Sequence, residues 1–234
     1  MELVLKIFQR LFFTGLFSAI GWFLALGPAL AQSGQLPAII SRLQASYAGM
    51  DAFQATFGQE LHHRQSDVVE KRTGSLLFQK PMLIRWETAE PYPELLIVTS
   101  GEIWNYLPAE DLAYRYSLDM LQNASPIIVV LTGQQALDRE FDVELLPNDG
   151  ALIHLRLYPY EPSTQLTEAE VWVDATTFFI HSAISTDFYG NTNKITFTSM
   201  NAASKAPAGT FAFSPPPGTD VEDVTGGMAT PQNF

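Results

Sequence analysis

The feature that most constrains this chain is a two-residue rhythm. Phe53, Ala55, Phe57, Gln59 and Leu61 alternate with Gln54, Thr56, Gly58, Glu60 and His62, the spacing of a strand with one buried face. Comparable runs follow at Arg72–Lys80, Leu83–Thr88, Leu95–Ser100, Glu102–Tyr106 and Ala113–Leu118. They resume at Phe141–Leu146, Ala151–Tyr158, Leu166–Val173, Phe178–Asp187 and Thr192–Met200. Turn signals stand between them, among them Glu90-Pro91-Tyr92-Pro93, Ser100-Gly101 and Pro147-Asn148-Asp149-Gly150, as in an antiparallel meander. No helix-length pattern separates the strands, which disfavours a parallel sheet with crossover helices. About ten or eleven such strands in one domain predict a mainly β fold, a strongly curved sheet or unclosed barrel.

Two helical insertions accompany the strands. Leu36, Ile39, Ile40, Leu43 and Tyr47 form one apolar stripe, predicting a helix over Gln35–Met50 that Gly49 ends. Ser125-Pro126 caps a short, wholly apolar stretch, Ile127–Leu131, that Gly133 closes. A helix apolar on every side needs burial all round or an apolar ligand beneath it. The tail Phe211–Asp223, with Pro215-Pro216-Pro217, is expected to be mostly extended.

The first residues read as an export signal. Lys6 and Arg10 precede the uncharged apolar run Leu11–Leu26, and Ala29-Leu30-Ala31 offers a small-x-small cleavage pattern. The expected division is a cleaved signal at 1–31 and a single domain at 32–234. The alternative is a retained anchor, because Leu11–Ala31 is long enough to cross a bilayer. The chain has no cysteine, which excludes disulfides, thiolate chemistry and lipidation at an N-terminal cysteine. Its formal net charge of −12 argues against nucleic acid as a partner and against anionic membrane faces.

Catalytic constellations are missing. There is no nucleophile elbow, phosphate loop, zinc-protease motif or dinucleotide fingerprint. The adjacent His62 and His63 would point to opposite faces of a strand, and His154 and His181 stand alone, so no metal site is expected. Glu168 and Glu170 share a strand face, and Glu110-Asp111 sits in a turn; both fit solvated surfaces. No enzyme activity and no cofactor are expected. What remains is an aromatic excess in the strands, including Phe53, Phe57, Phe78, Trp86 and Trp104. Two short helices leave much of a curved sheet to be filled. The excess therefore reads either as a large core or as the lining of an apolar cavity that takes acyl chains.

One further stretch is Gly74–Trp86, where Lys80 stands at a strand end before Pro81, which cannot donate to a ladder. With the order of its neighbours, the chain resembles the periplasmic outer-membrane lipoprotein carrier family, LolA. The resemblance runs through Arg42-Leu43, Phe53-x-Ala55-x-Phe57-x-Gln59, Gly74-x-Leu76, Lys80-Pro81 and Arg85-Trp86. It continues through Ile97-Val98, Trp104, Ser125-Pro126, Asp187-x-x-Gly190, Ile195-x-Phe197 and Phe211-x-Phe213-x-Pro215-Pro216.

That resemblance implies an unclosed β-barrel with a helical lid over a hydrophobic cavity. It implies a periplasmic chaperone that receives acylated lipoproteins from an inner-membrane ABC transporter and hands them to an outer-membrane receptor. A monomer is expected. Family members carry an arginine before the proline that hydrogen-bonds to lid-helix backbone; here Lys80 takes its place, so Lys80 and Pro81 are the expected latch. The expected lipid-cavity residues are Leu43, Phe53, Phe57, Phe78, Ile84, Trp86 and Trp104. The alternative is an envelope-stress sensing or protein-interaction module of the same fold.

Overall fold

A computed structural model describes residues 29–118 and 137–225. The first helix, α1 (Ala29–Ala48), leads into β1 (Ala52–His63), β2 (Val68–Gln79), β3 (Leu83–Glu90), β4 (Glu94–Val98) and β5 (Ile103–Leu107). A 3-10 turn at Pro108–Glu110 precedes β6 (Leu112–Tyr116). After a four-residue helix, α2 (Leu137–Glu140), come β7 (Phe141–Asp149), β8 (Leu152–Pro159), β9 (Glu168–Asp174), β10 (Ile180–Thr186), β11 (Thr192–Ala202) and β12 (Asp220–Asp223). The expected helix at Ser125–Leu131 and nearly all of the expected export signal lie outside the described residues.

The twelve strands form one sheet in the order β12-β6-β5-β4-β3-β2-β1-β11-β10-β9-β8-β7. The ladder is unclosed, with β12 and β7 as its edges. Neighbouring hairpins make most of it, as the turn signals predict. Two pairings do not follow the meander. The first, β1 against β11, joins the two halves of the chain. The second, β12 beside β6, is parallel; the Asp-Val-Glu-Asp of this strand carries little strand propensity, and by sequence it reads only as extended tail.

Buried residues from β1 through β11 and from α1 belong to one core cluster, in which Val98 and Ile103 from one half join Leu157 and Phe141 from the other. Helix α1 packs on this buried face, and hydrogen bonds join it to β10 through Ile180 and to the end of β2 through Lys80. A bulge keeps that face continuous. Ala55 pairs with Met200 and Phe57 with Phe197, and the register shifts between Thr56 and Phe57. The extra residue lets Phe197 and Met200, three positions apart, both turn inward.

Local differences from the sequence reading are small. The α1 helix starts at Ala29, before the expected Gln35, and β2 starts at Val68, before the expected Arg72. Phe178, expected to open a strand, has φ 59° and sits in the turn before β10.

Candidate functional site

The inner face is built by alternation and read out by register. Phe53 faces Phe78, and Ala55 faces Leu76; Phe78 faces Ile84, and Leu76 faces Trp86. Ile84 then faces Val98 and Trp86 faces Leu96. Across the sheet's other half the same face carries Ile195 and Ala183, then Val171 and Leu155. The rings interlock: Phe53 and Phe78 lie 5.1 Å apart between centroids, and Phe57 and Trp86 lie 4.1 Å apart. Gly74 makes the second contact possible. A Cβ there would fall 2.1 Å from the Glu87 carbonyl oxygen and 2.6 Å from Phe57 Cζ, so any larger residue would displace the ring or the strand.

Helix α1 lies on this face. Leu43 is wholly buried, with Ile40 and Tyr47 beside it, as the predicted stripe requires. The C-terminal half of α1 is fastened to both halves of the sheet. On one side the Tyr47 hydroxyl accepts the Ile180 N–H at 2.9 Å, the Ser46 hydroxyl donates to the Thr177 carbonyl at 3.1 Å, and the Arg42 guanidinium lies 4.1 Å from the Phe178 ring centre. Burial pushes the Tyr47 phenol well above its ordinary value, only partly offset by the Ile180 amide, which keeps it neutral in its apolar surroundings. On the other side Lys80 Nζ donates to the carbonyl oxygen of Ala48, the last residue of α1, at 2.6 Å. No basic residue of α1 itself stands in its last turn, so Lys80 supplies the cation that the partial negative charge of a helix C-terminus favours.

Towards the opposite end of the strands the inner face turns polar. The Gln59 amide donates to Asn193 Oδ1 at 3.0 Å, and Arg72 pairs with Glu70 at 2.6 Å and Glu94 at 3.1 Å. Asn105 is buried there, and among the described residues its Oδ1 has no hydrogen-bond partner. The face therefore grades from apolar near Lys80 to polar at the far end.

The outer face has different chemistry. Arg156 meets Glu144, Glu168 and Glu170 across β7, β8 and β9, and His154 stacks on Trp172 with centroids 4.3 Å apart. After β11 the chain turns back across this face. Ala206 N–H donates to Gln79 Oε1 at 2.7 Å, Arg85 Nη1 donates to the Thr210 carbonyl at 3.2 Å, and the Phe213 ring lies 5.5 Å from both Trp104 and Tyr106. Between this strap and β1–β3 is a depression of about 430 Å³ lined by polar groups including Gln54, Ser75, Arg85 and Glu87.

The expected cavity residues thus divide. Leu43, Phe53, Phe57, Phe78, Ile84 and Trp86 converge on the inner face. Trp104 is the exception. Ile103 pairs with Tyr116 and Val98, and Asn105 pairs with Leu96, so these turn inward and Trp104 turns out, beneath Phe213. Lys80 reaches α1 and leaves the ligand-facing surface to others. Tyr47, Phe197 and Arg42 complete the site. Tyr47 is visible in the sequence as part of the helical stripe, whereas nothing there pairs Arg42 with Phe178. Among the described residues no group of three His, Cys, Asp or Glu side chains is placed to hold a metal ion.

Comparison with known proteins agrees with this geometry. Residues 48–214 match the family model described as outer membrane lipoprotein carrier protein LolA. The chain is 28% identical to the outer-membrane lipoprotein carrier protein of Bordetella avium (strain 197N) over 203 residues, covering 85% of this chain and 92% of that one. It is 29% identical to the protein of the same description in Xylella fastidiosa (strain Temecula1) over 185 residues, covering 76% and 85%. An uncharacterized conserved protein from Thermus thermophilus has the same fold at a TM-score of 0.53 with 15% identity, over 82% of this chain and 99% of that one.

Proposed function

The chain belongs to the outer-membrane lipoprotein carrier (LolA) family, and on that premise we propose that it is a non-enzymatic periplasmic chaperone for lipoproteins. It takes the acyl chains of lipoproteins leaving an inner-membrane ABC transporter and passes them to an outer-membrane receptor. The observation that carries this reading is the inner face: an apolar, aromatic surface continuous across an unclosed sheet, with α1 laid on it. An acyl chain in water costs about 0.8 kcal/mol per methylene, so a carrier needs such a surface and a way to shield it.

Phe53, Phe57, Phe78, Ile84, Trp86 and Leu43 are the lipid contacts in this reading. Lys80, next to Pro81, is the latch, holding α1 down through one carbonyl. A lysine suits a latch that must let go, because a single ammonium–carbonyl bond lacks the forked geometry of a guanidinium. The polar end of the inner face would receive the cargo's head, and the apolar end its chains.

The direct test mixes the purified protein with inner-membrane spheroplasts and assays the supernatant for lipoproteins. Release in a one-to-one complex, seen by native mass spectrometry, is the expected result. No release at stoichiometric excess sinks the proposal.

A further inference from the structure

Large apolar side chains left strongly exposed are not scattered over this protein. Among the described residues Val68, Val69, Tyr92, Tyr158, Tyr160, Phe188, Tyr189 and Val221 stand out. Tracing the strands up and down the sheet puts every one of them toward the end remote from Lys80. Val68 and Val69 open β2, Tyr92 sits in the β3–β4 turn, Tyr158 and Tyr160 close β8, and Val221 lies beside the start of β6. Phe188 and Tyr189 form the tip of the β10–β11 turn and are 69% and 72% exposed. Scattered single apolar residues need no explanation; a set gathered on one rim does.

The Phe188-Tyr189 tip is also held rigid. Asp187 Oδ1 accepts from the N–H groups of Tyr189 and Asn191, both at 2.8 Å, and Asp187 Oδ2 accepts from Asn191 Nδ2 at 2.7 Å. Phe188 N–H donates to the Thr164 carbonyl at 3.0 Å, which ties this turn to the β8–β9 loop that begins with Tyr160. Arg64 N–H donates to Asn191 Oδ1 at 3.0 Å, tying it to the β1–β2 turn. The two rings meet edge to face at 5.6 Å. Gly190, at φ 79°, leaves room for the Arg64 side chain, which would come within 2.8 Å of a Cβ there. The rim therefore presents two fixed aromatic rings with a guanidinium beside them.

We propose that this rim docks on the surface of a phospholipid bilayer, with Phe188 and Tyr189 at the depth of the headgroups and Arg64 on lipid phosphate. The Tyr189 ring, apolar with a hydroxyl at one edge, favours that interface, the Phe188 ring adds apolar area to bury, and an arginine can keep its charge among the headgroups while its stem lies on apolar surface. The occupant is a zwitterionic surface. Asp67 and Glu161 share the rim, and the whole chain carries a net charge of −12, so an anionic surface would be repelled beyond the reach of Arg64. Two rings and one cation make a weak, reversible contact, far short of an anchor. The inference rests on the carrier reading only for its purpose, which is to bring the end of the sheet that would receive the cargo's head to a membrane.

The test is flotation of the protein, expressed from its full sequence and purified, with phosphatidylcholine–phosphatidylethanolamine vesicles at about 0.15 M salt. A measurable share of the protein should rise with the vesicles. The Phe188→Ser/Tyr189→Ser variant should partition about tenfold less, and Arg64→Gln should lose a smaller factor. Both variants should unfold at the wild-type temperature and bind an apolar fluorophore on the inner face unchanged, which separates failure of docking from failure of the carrier reading. Wild-type protein that stays at the bottom of the gradient overturns the proposal, as does a double variant that floats equally. A wild-type dimer that the double variant dissolves, seen by sedimentation without vesicle binding, would overturn it too and assign the rim to a second copy.

Discussion

Two tryptophans show how the two faces of this sheet differ. Trp86 and Trp104 both sit on strands of the same half, and both are partly buried. Trp86 points inward onto Phe57, into an apolar surface covered by α1. Trp104 points outward onto Phe213, a residue of the strap that crosses the back of the sheet. One ring belongs to the surface that would open in the proposed carrier; the other belongs to a seam that holds the tail in place. Identical chemistry would then serve binding on one face while it serves cohesion on the other, and what lies above the ring makes the difference.

The difference can be broken most forcefully at Leu43. Leu43→Asp puts a carboxylate at a fully buried position with no cation to pair it, a cost of several kcal/mol. The variant should fail to accumulate or should unfold far below the wild type. Leu43→Ala keeps the test within reach, with a loss of about 2–5 kcal/mol read from urea unfolding and weaker displacement of an apolar fluorophore.

A paired comparison then sharpens the assignment of faces. Trp86→Ala should lower both stability and fluorophore affinity. Trp104→Ala should lower stability by about 1–3 kcal/mol through lost burial and the lost contact with Phe213, and leave the fluorophore affinity where it was. Equal loss of affinity in both variants would erase the distinction.

The smallest effect is expected at the edge between inner face and solvent. Lys80→Met removes one partly exposed hydrogen bond and should change stability by no more than about 1 kcal/mol. Its signature should be kinetic, in faster exchange of bound fluorophore by stopped flow, because only the hold on α1 is altered. Wild-type exchange rates would remove Lys80 from any part in gating.

Much of this is legible from alternation alone. The parity of Phe53, Ala55 and Phe57 defines a buried face for β1, and the helical stripe through Leu43 and Tyr47 names the residues that cover it. Lys80 stands out because a charged residue before a proline at a strand end is poor packing, although its acceptor, Ala48, is invisible. The outward turn of Trp104 is not legible. In Ile103-Trp104-Asn105-Tyr106 parity separates two sets, and the aromatic set looks the more apolar. It faces out because Phe213, far later in the chain, supplies a cover that no local pattern announces. The parallel β12 and the rim are hidden for a like reason: both depend on which ends of which hairpins lie side by side.

The pairing of β1 with β11 also carries a consequence for how the molecule is made. β1 has a local partner in β2, but its other ladder joins Phe53 to Ala202 and His62 to Thr192, across well over half the chain. Contacts of such separation close late, after the loop entropy between them has been overcome. Hairpins from β2 to β6 can form as soon as their own residues are available, whereas the central seam waits until β11 exists. A periplasmic carrier of the kind proposed would gain from that delay. Its amino-terminal half cannot complete its native surroundings early, and the apolar face would be assembled only once the whole polypeptide had crossed the membrane.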